Sequence, residues 1–409
     1  MRKVRIGVFG VNRGSTMMNY CQTQNDAQLV AICDKWEEGL NKKKQELGDA
    51  IKYYTSFDEF IKHDMDAVVL ANYANEHAPF AVRALEQGLH VISEVLPCQT
   101  MAEAVKLIET IEKSGKIYAY AENYCFMAAP REMRKLYRAG KLGKFEYGEG
   151  EYMHNCETIW PQITHGDKSH WRNNMHANFY CTHSIGPLIH ITGLKPVSVT
   201  GFELPFNARM ERIGAKAGHA ALELITLENG AVIKSLHGTG CSKNSVWYSI
   251  YGSLGRIESS REDAKFDAYN RVFANLDEFE GANGNSPVTY LPDEDLAGNK
   301  FGHGGSDYYT MHHFLDRING NEEAEVIDIY EALDMFLPGM FAYRSVLSGG
   351  MPMRIPDLRN FEQRDIWRHD TLCTDPLVAG DQLVPSYSKG VPEIPDETYI
   401  SAYRKWAGK

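Results

Sequence analysis

One spacing that could do chemistry is Gly10-Val-Asn-Arg-Gly14-Ser-Thr, directly after the apolar run Val4–Phe9. A dinucleotide-binding turn needs a glycine for the tight bend and a small residue where the pyrophosphate meets the backbone. It also needs a helix N-terminus aimed at the phosphates. Gly10 fills the first role, Asn12 stands at the second and Ser15 at the third, with Arg13 and Gly14 between them. Asn tolerates left-handed backbone angles better than most residues, which keeps the turn feasible. Asp34 ends the next apolar run, where a carboxylate would bind a ribose diol and repel a 2′-phosphate. The competing role for Asp34 is a helix N-cap. Turn and acid together favour NAD over NADP, while Lys35 and Arg13 are nearby positive charges that pull the other way.

Six histidines crowd a short stretch: His154, His165, His170, His176, His183 and His190. None forms H-E-x-x-H or a Cys/His finger spacing, so no metal site is expected. Direct glycoside hydrolysis would need two carboxylates at a fixed separation across one bond, and no signature picks out such a pair. Along the strand-like run Lys144–His154, residues 150, 152 and 154 share one face and 149 lies on the other. Tyr152 and His154 therefore line a pocket together more easily than Glu149 does.

The elements that must position these residues alternate strand and helix over the first 120 or so residues. Strands are expected at Val4–Phe9, Ala27–Cys33, Ala67–Ala71, His90–Ser93 and Lys116–Ala121. Helices are expected at Thr16–Gln24, Ala78–Gln87 before Gly88, and Met101–Ser114 before Gly115. That order predicts an α/β fold, an N-terminal Rossmann domain with a doubly wound parallel sheet over 1–123. Residues 124–353 are expected to form a C-terminal α+β domain with a large, mainly antiparallel open sheet. It would combine helices at Pro130–Ala139, Thr182–Ile191, Ser306–Ile318 and Ile327–Leu347 with strands from Val197 to about Phe266 arranged as a meander. Residues 354–409, rich in Pro, Asp and aromatics, are expected as an extension on the body or on a neighbouring subunit.

Composition narrows the class. The 409 residues carry 43% hydrophobic and 24% charged side chains, as ordinary globular proteins do. A net charge of −11 argues against nucleic acid as a partner. No apolar run approaches the roughly 18 residues of a membrane span, and no apolar signal segment opens the chain. Eight cysteines without a C-x-x-C pair fit reduced thiols and a cytoplasmic location.

On these residues the chain resembles the Gfo/Idh/MocA oxidoreductase superfamily. The Rossmann unit carries the likeness, with Ala71-Asn-Tyr-Ala-Asn-Glu-His77, Ala84-Leu-Glu-Gln-Gly-Leu-His-Val-Ile-Ser-Glu94 and the helix around His183. Family dehydrogenases usually continue Glu-Lys-Pro, with the lysine near the sugar hydroxyl, but this chain reads Glu94-Val95-Leu96-Pro97. Valine cannot take a hydroxyl proton. In that respect the chain is similar to the NAD-dependent glycosidases of glycoside hydrolase family 109. It shares with them Glu122-Asn123, Gly148-Glu-Gly-Glu-Tyr-Met-His154, Trp171-Arg172, Asn178-Phe-Tyr-Cys-Thr-His-Ser-Ile-Gly-Pro187 and Gly302-His-Gly-Gly-Ser-Asp307. Cys181 stands where that branch has proline.

The resemblance implies an NAD cofactor held by Gly10, Asn12, Arg13, Gly14, Asp34, Asn72, Asn75, His77, Glu94, Val95, Asn123, Trp171 and Arg172. It implies a substrate site at Tyr152, Tyr180, His183 and His303, with His303 alternatively part of a tight turn. The implied function is cleavage of a small glycoside by transient C3 oxidation, C2 deprotonation, elimination, water addition and re-reduction. His183 would be acid/base at the C3 hydroxyl and Tyr180 its partner at C2, with His154 and Glu149 as candidates to protonate the leaving group. Imidazole ordinarily titrates near neutrality, and a phenol can stabilise an enolate. The alternative is an NAD-dependent sugar or cyclitol dehydrogenase forming a keto-sugar. The family also implies a homo-oligomer, a dimer or tetramer, with a small sugar or glycoside as partner.

Overall fold

A computed structural model describes residues 2–261, 271–277, 288–290 and 301–408. Contacts divide the chain into two units. The first comprises Met1–Met127, Glu294–Leu333 and Leu358–Asp370; the second comprises Ala128–Asp293, Asp334–Asp357 and Thr371–Lys409.

In the first unit, β1 (Val4–Phe9), β2 (Ala27–Cys33), β3 (Lys52–Tyr54), β4 (Ala67–Leu70), β5 (His90–Ser93) and β6 (Tyr118–Tyr120) form a parallel sheet. Their order is β3-β2-β1-β4-β5-β6. β4 is Ala-Val-Val-Leu, buried at every position, as a strand covered on both faces must be. The helix Met101–Ser114 starts where Thr100 Oγ1 accepts from the Glu103 N–H and Glu103 accepts from the Gln99 N–H. It ends on Gly115 at φ +62°, a start and stop the sequence spells out.

The linear division at 123/124 and 353/354 is not the one the contacts draw. The helix Ser306–Ile318 returns to the first unit, seating Met311, Phe314 and Leu315 in the core under β1 and β2. Part of the expected C-terminal extension returns as well. Buried Arg364 makes paired hydrogen bonds of 2.8 and 2.7 Å to Glu112, and Arg368 pairs with Glu109. The last helix, Asp396–Trp406, belongs to the second unit, where Tyr399 donates to the Gly214 carbonyl and Trp406 stacks on His165.

The second unit holds β7 (Phe145–Asn155), β8 (Pro196–Glu203), β9 (Ala221–Leu227), β10 (Val232–Gly238), β11 (Gly240–Gly252), β12 (Gly255–Ser259), β13 (Val272–Leu276), β14 (Val288–Tyr290) and β15 (Met353–Arg354). Their order is β14-β13-β12-β11-β7-β10-β9-β8-β15. A simple meander does not describe it. β8–β10 and β11–β14 are each antiparallel runs, but β7 is wedged between them, parallel to β10 and antiparallel to β11. The helix Thr182–Thr192 packs on the face of β7 that carries Gly150 and Tyr152. A Cβ at Gly150 would collide with the Ser184 carbonyl, so glycine there sets the close approach.

Candidate functional site

The first unit is built around the turn after β1. Gly10 has φ +110°, and a Cβ there would strike the Ala71 carbonyl at the end of β4, so only glycine serves. The tolerance expected of Asn12 is not used: among the described residues only His165 and His303 are non-glycine residues at positive φ. The helix Ser15–Thr23 begins at Gly14 without a side-chain cap and with no acid in its first turn; the Ser15 N–H donates to the Asn12 carbonyl, and the other first-turn amides face where an anion would bind a helix N-terminus. Around it, the Asn72 Oδ1, Asn75 Oδ1 and Thr16 Oγ1 atoms are buried without a hydrogen-bond partner. Asp34 accepts from the Val11 and Trp36 N–H groups, both at 2.8 Å, tying the turn to the end of β2. It is not the cap of the following helix, whose N-cap is Trp36. A narrow glycine cradle, open helix amides and unpaired side-chain oxygens fit a dinucleotide.

The two cations that could have favoured a 2′-phosphate are neutralised. Lys35 pairs with Glu76 at 3.1 Å, and Arg13 is held by Asp307 and Glu94. Arg13 meets Asp307 through two hydrogen bonds, and Asp307 also accepts from Asn123 at 2.9 Å and lies 3.0 Å from His303 Nδ1. Burial opposes charge on Arg13, Glu94 and Asp307. Arg13 and His303 nonetheless hold Asp307 well below the usual carboxylate range, while burial pushes Glu94 up against the pull of Arg13. Arg13, Glu94, Asn123 and His303, expected to contact cofactor or substrate, are thus members of one ion network. His77 lies with one ring nitrogen 2.8 Å from the Leu96 carbonyl and the other 3.3 Å from that of Asn72, so it braces the segment around Val95.

In the second unit, the turn Ala177–Tyr180 and the start of the helix Thr182–Thr192 bring Tyr180 and His183 to Tyr152 on β7. The His183 ring is 4.7 Å from that of Tyr152 and 5.2 Å from that of Tyr180, both edge-on, and His154 is 5.8 Å from Tyr152. Tyr248 fixes the helix start by donating to the His183 carbonyl at 2.6 Å. Arg172 lies over the Trp171 and Tyr180 rings at 4.5 and 4.7 Å, where it would offset negative charge developing nearby. The other histidines of this stretch have structural partners: His165 stacks on Trp406, His170 accepts from the Arg172 N–H, His176 stacks on Tyr343 at 3.9 Å, and the His190 carbonyl accepts from Arg134.

Glu149 is not with them. It faces the other side of β7, paired with its cross-strand neighbour Lys234, as strand alternation requires.

Two residues went unread in the sequence. Glu223 and His237 are fully buried, 3.8 Å apart, on the inward phases of β9 and β10. Burial pushes the Glu223 carboxyl up to about 8 and pulls the His237 imidazole down to about 4, so near neutral pH the pair is uncharged. The available signal was a glutamate in phase with Ala221, Ile225 and Leu227.

Residues 4–122 match the oxidoreductase family described as having an NAD-binding Rossmann fold, and residues 292–364 match the glycosyl hydrolase 109 C-terminal domain. A glycosyl hydrolase family 109 protein of Saccharopolyspora erythraea is 23% identical, covering 87% of this chain and 83% of its own length. One from Porphyromonas gingivalis is 24% identical, covering 90% and 88%. Among solved structures, levoglucosan dehydrogenase in complex with NADH and L-sorbose superposes with a TM-score of 0.71 at 15% identity, covering 87% of this chain and all of that one. At that identity the likeness shows the fold. The two matched segments and the relatives aligned over most of the chain make it similar to the Gfo/Idh/MocA oxidoreductases, with a Rossmann segment of that family at 4–122 and a segment like the glycosyl hydrolase 109 C-terminal domain at 292–364.

Proposed function

We propose that the protein is an NAD-dependent glycosidase that cleaves a small glycoside by elimination and re-addition of water rather than by displacement at C1. One observation carries this reading: an imidazole and two phenols, His183, Tyr152 and Tyr180, converge in the second unit, while Val95 stands where family dehydrogenases place their lysine. Bound NAD would supply reversible oxidation at C3 of the sugar. Gly10, Gly14, Asp34, Asn72 and Asn75 would hold it, with the Arg13–Asp307 pair fixing the turn they belong to.

His183 takes the proton of the C3 hydroxyl and later returns it. With C3 at the carbonyl level the C2 proton is acidified, and Tyr180, acting as phenolate with Arg172 close by, would take that proton and return it to C2 when water adds at C1. His154 protonates the departing oxygen at C1. Tyr152 positions the sugar against His183. The second unit also supports a homo-oligomer, because the sheet face opposite the helix Thr182–Thr192 leaves Phe202, Leu224 and Tyr251 exposed. Eight cysteines, all free, support a cytoplasmic setting.

The test is a panel of nitrophenyl glycosides with catalytic NAD+, reading nitrophenol release beside NADH absorbance. Release without NADH build-up is expected. Stoichiometric NADH without release would make the protein a sugar or cyclitol dehydrogenase and overturn the proposal.

A further inference from the structure

Below the Tyr152–His183 cluster the second unit buries a polar group that the reaction above does not use. Asn178 donates to Glu223 Oε1 at 3.0 Å, and the same oxygen lies 3.8 Å from His237 Nε2. His237 Nδ1 lies 3.2 Å from the Ser235 hydroxyl, which bonds the Ser184 hydroxyl at 2.8 Å. Glu223 and Asn178 are fully buried and His237 is 1% exposed. Yet the Glu223 Oε2 and Asn178 Oδ1 atoms have no hydrogen-bond partner, and His237 Nε2, near the Ala177 and Asn178 carbonyls, makes no bond of good geometry. Buried polar atoms left unpaired are costly and point to a missing partner. His237 lines the same pocket as Tyr152, Arg172 and Tyr180, so that partner has a place to sit.

We propose that His237, backed by Glu223, is the polar floor of this pocket and reads one hydroxyl group of a neutral sugar. The inference rests on the reading of the pocket as a sugar site. Burial leaves both groups uncharged near neutral pH, so the floor offers hydrogen bonds and no net charge, which suits a hydroxyl and not an ammonium or carboxylate. His237 is then a specificity-determining residue, and Glu223 positions it.

The full-length protein is titrated calorimetrically with free glucose, galactose, N-acetylglucosamine and N-acetylgalactosamine, then with monodeoxy derivatives of whichever binds. One deoxy derivative is expected to bind on the order of tenfold more weakly than its parent. His237→Phe should abolish that gap by weakening the parent sugar. Glu223→Gln, neutral and of the same shape, should keep the gap, and Glu223→Leu should narrow it. Should His237→Phe lose its fold by circular dichroism, His237→Asn replaces it with the same expectation. A wild type that binds none of the four sugars, deoxy derivatives that all bind like the parent, or a gap that survives at His237 overturns the inference. Because the readout is equilibrium binding, failure of the glycosidase reading appears separately, as absent turnover with the binding gap intact.

Discussion

Arg13 and Asp307, 294 residues apart in the chain, are joined by two parallel hydrogen bonds, Nη1 to Oδ2 at 2.9 Å and Nη2 to Oδ1 at 2.8 Å. The pair fastens the glycine turn after β1 to the helix Ser306–Ile318. Asp307 is 1% exposed in its side chain and Arg13 31%, so the interaction is screened far less than a surface pair.

Asp307→Asn is therefore expected to cost about 2–4 kcal/mol of stability at pH 7, read from urea midpoints, because Arg13 loses its bidentate partner. The acid limb should change with it. A carboxylate held below its unfolded value near 3.9 contributes stability that is full above that value and lost as pH falls through the folded one. The variant should lose that contribution, so its stability should fall less between about pH 5 and pH 2. Equal acid sensitivity in both proteins would count against the pair.

Gly10→Ala tests the cradle. The residue would sit at φ +110° with its methyl against the Ala71 carbonyl, so a loss of about 1–3 kcal/mol and at least a tenfold weaker NAD affinity by calorimetry are expected. Gly115→Ala is the control. It also has positive φ, but nothing lies within 4 Å of the added methyl, so it should cost some stability and leave NAD affinity unchanged.

Elements governed by local rules were legible in the sequence, and relations between distant segments were not. Met101–Ser114 and Ser306–Ile318 have the bounds that periodicity and end signals gave them. The Gly10 turn and the acid that ends β2 stood out because each is a short local pattern, a glycine after an apolar run and a carboxylate at a strand end. The insertion of β7 between β10 and β11 depends on pairings across 85 to 107 residues, which no local pattern encodes. For the same reason the pairing of Arg13 with Asp307, almost three hundred positions away, was not legible. Glu149 was placed on the right face by alternation alone; its partner Lys234 explains why it has no part in the His183 cluster.

That separation of faces makes a paired prediction. Glu149→Gln should leave turnover within about twofold, because a partly exposed ion pair contributes roughly 0–1 kcal/mol to stability and touches none of the reacting groups. His183→Asn should lower kcat by about 10²–10⁴-fold and Tyr180→Phe by a smaller factor. NAD binding should be unchanged in all three. A large loss in Glu149→Gln with near-normal His183→Asn would reverse the assignment of faces.

The buried Glu223–His237 pair fixes how stability should vary with pH. The Glu223 pKa is raised to about 8 from an unfolded value near 4.3, so its contribution is full below about 4.3 and is lost progressively up to about 8. His237, lowered to about 4, and His176, lowered to about 3 by burial, act oppositely, since the unfolded chain binds their protons below about 6.5. The histidines raise stability with pH up to about 6.5 against the fall from Glu223. Above that, of these three groups only Glu223 acts, at no more than about 1.4 kcal/mol per pH unit. Urea midpoints for the wild type should therefore peak between about pH 6 and 7 and decline toward pH 8. In Glu223→Gln, with no proton to lose, that alkaline decline should shrink while the acid side, set by His176 and His237, steepens. A decline that persists unchanged in the variant would mean that Glu223 is already ionised in the folded protein, and that the floor of the pocket carries a charge.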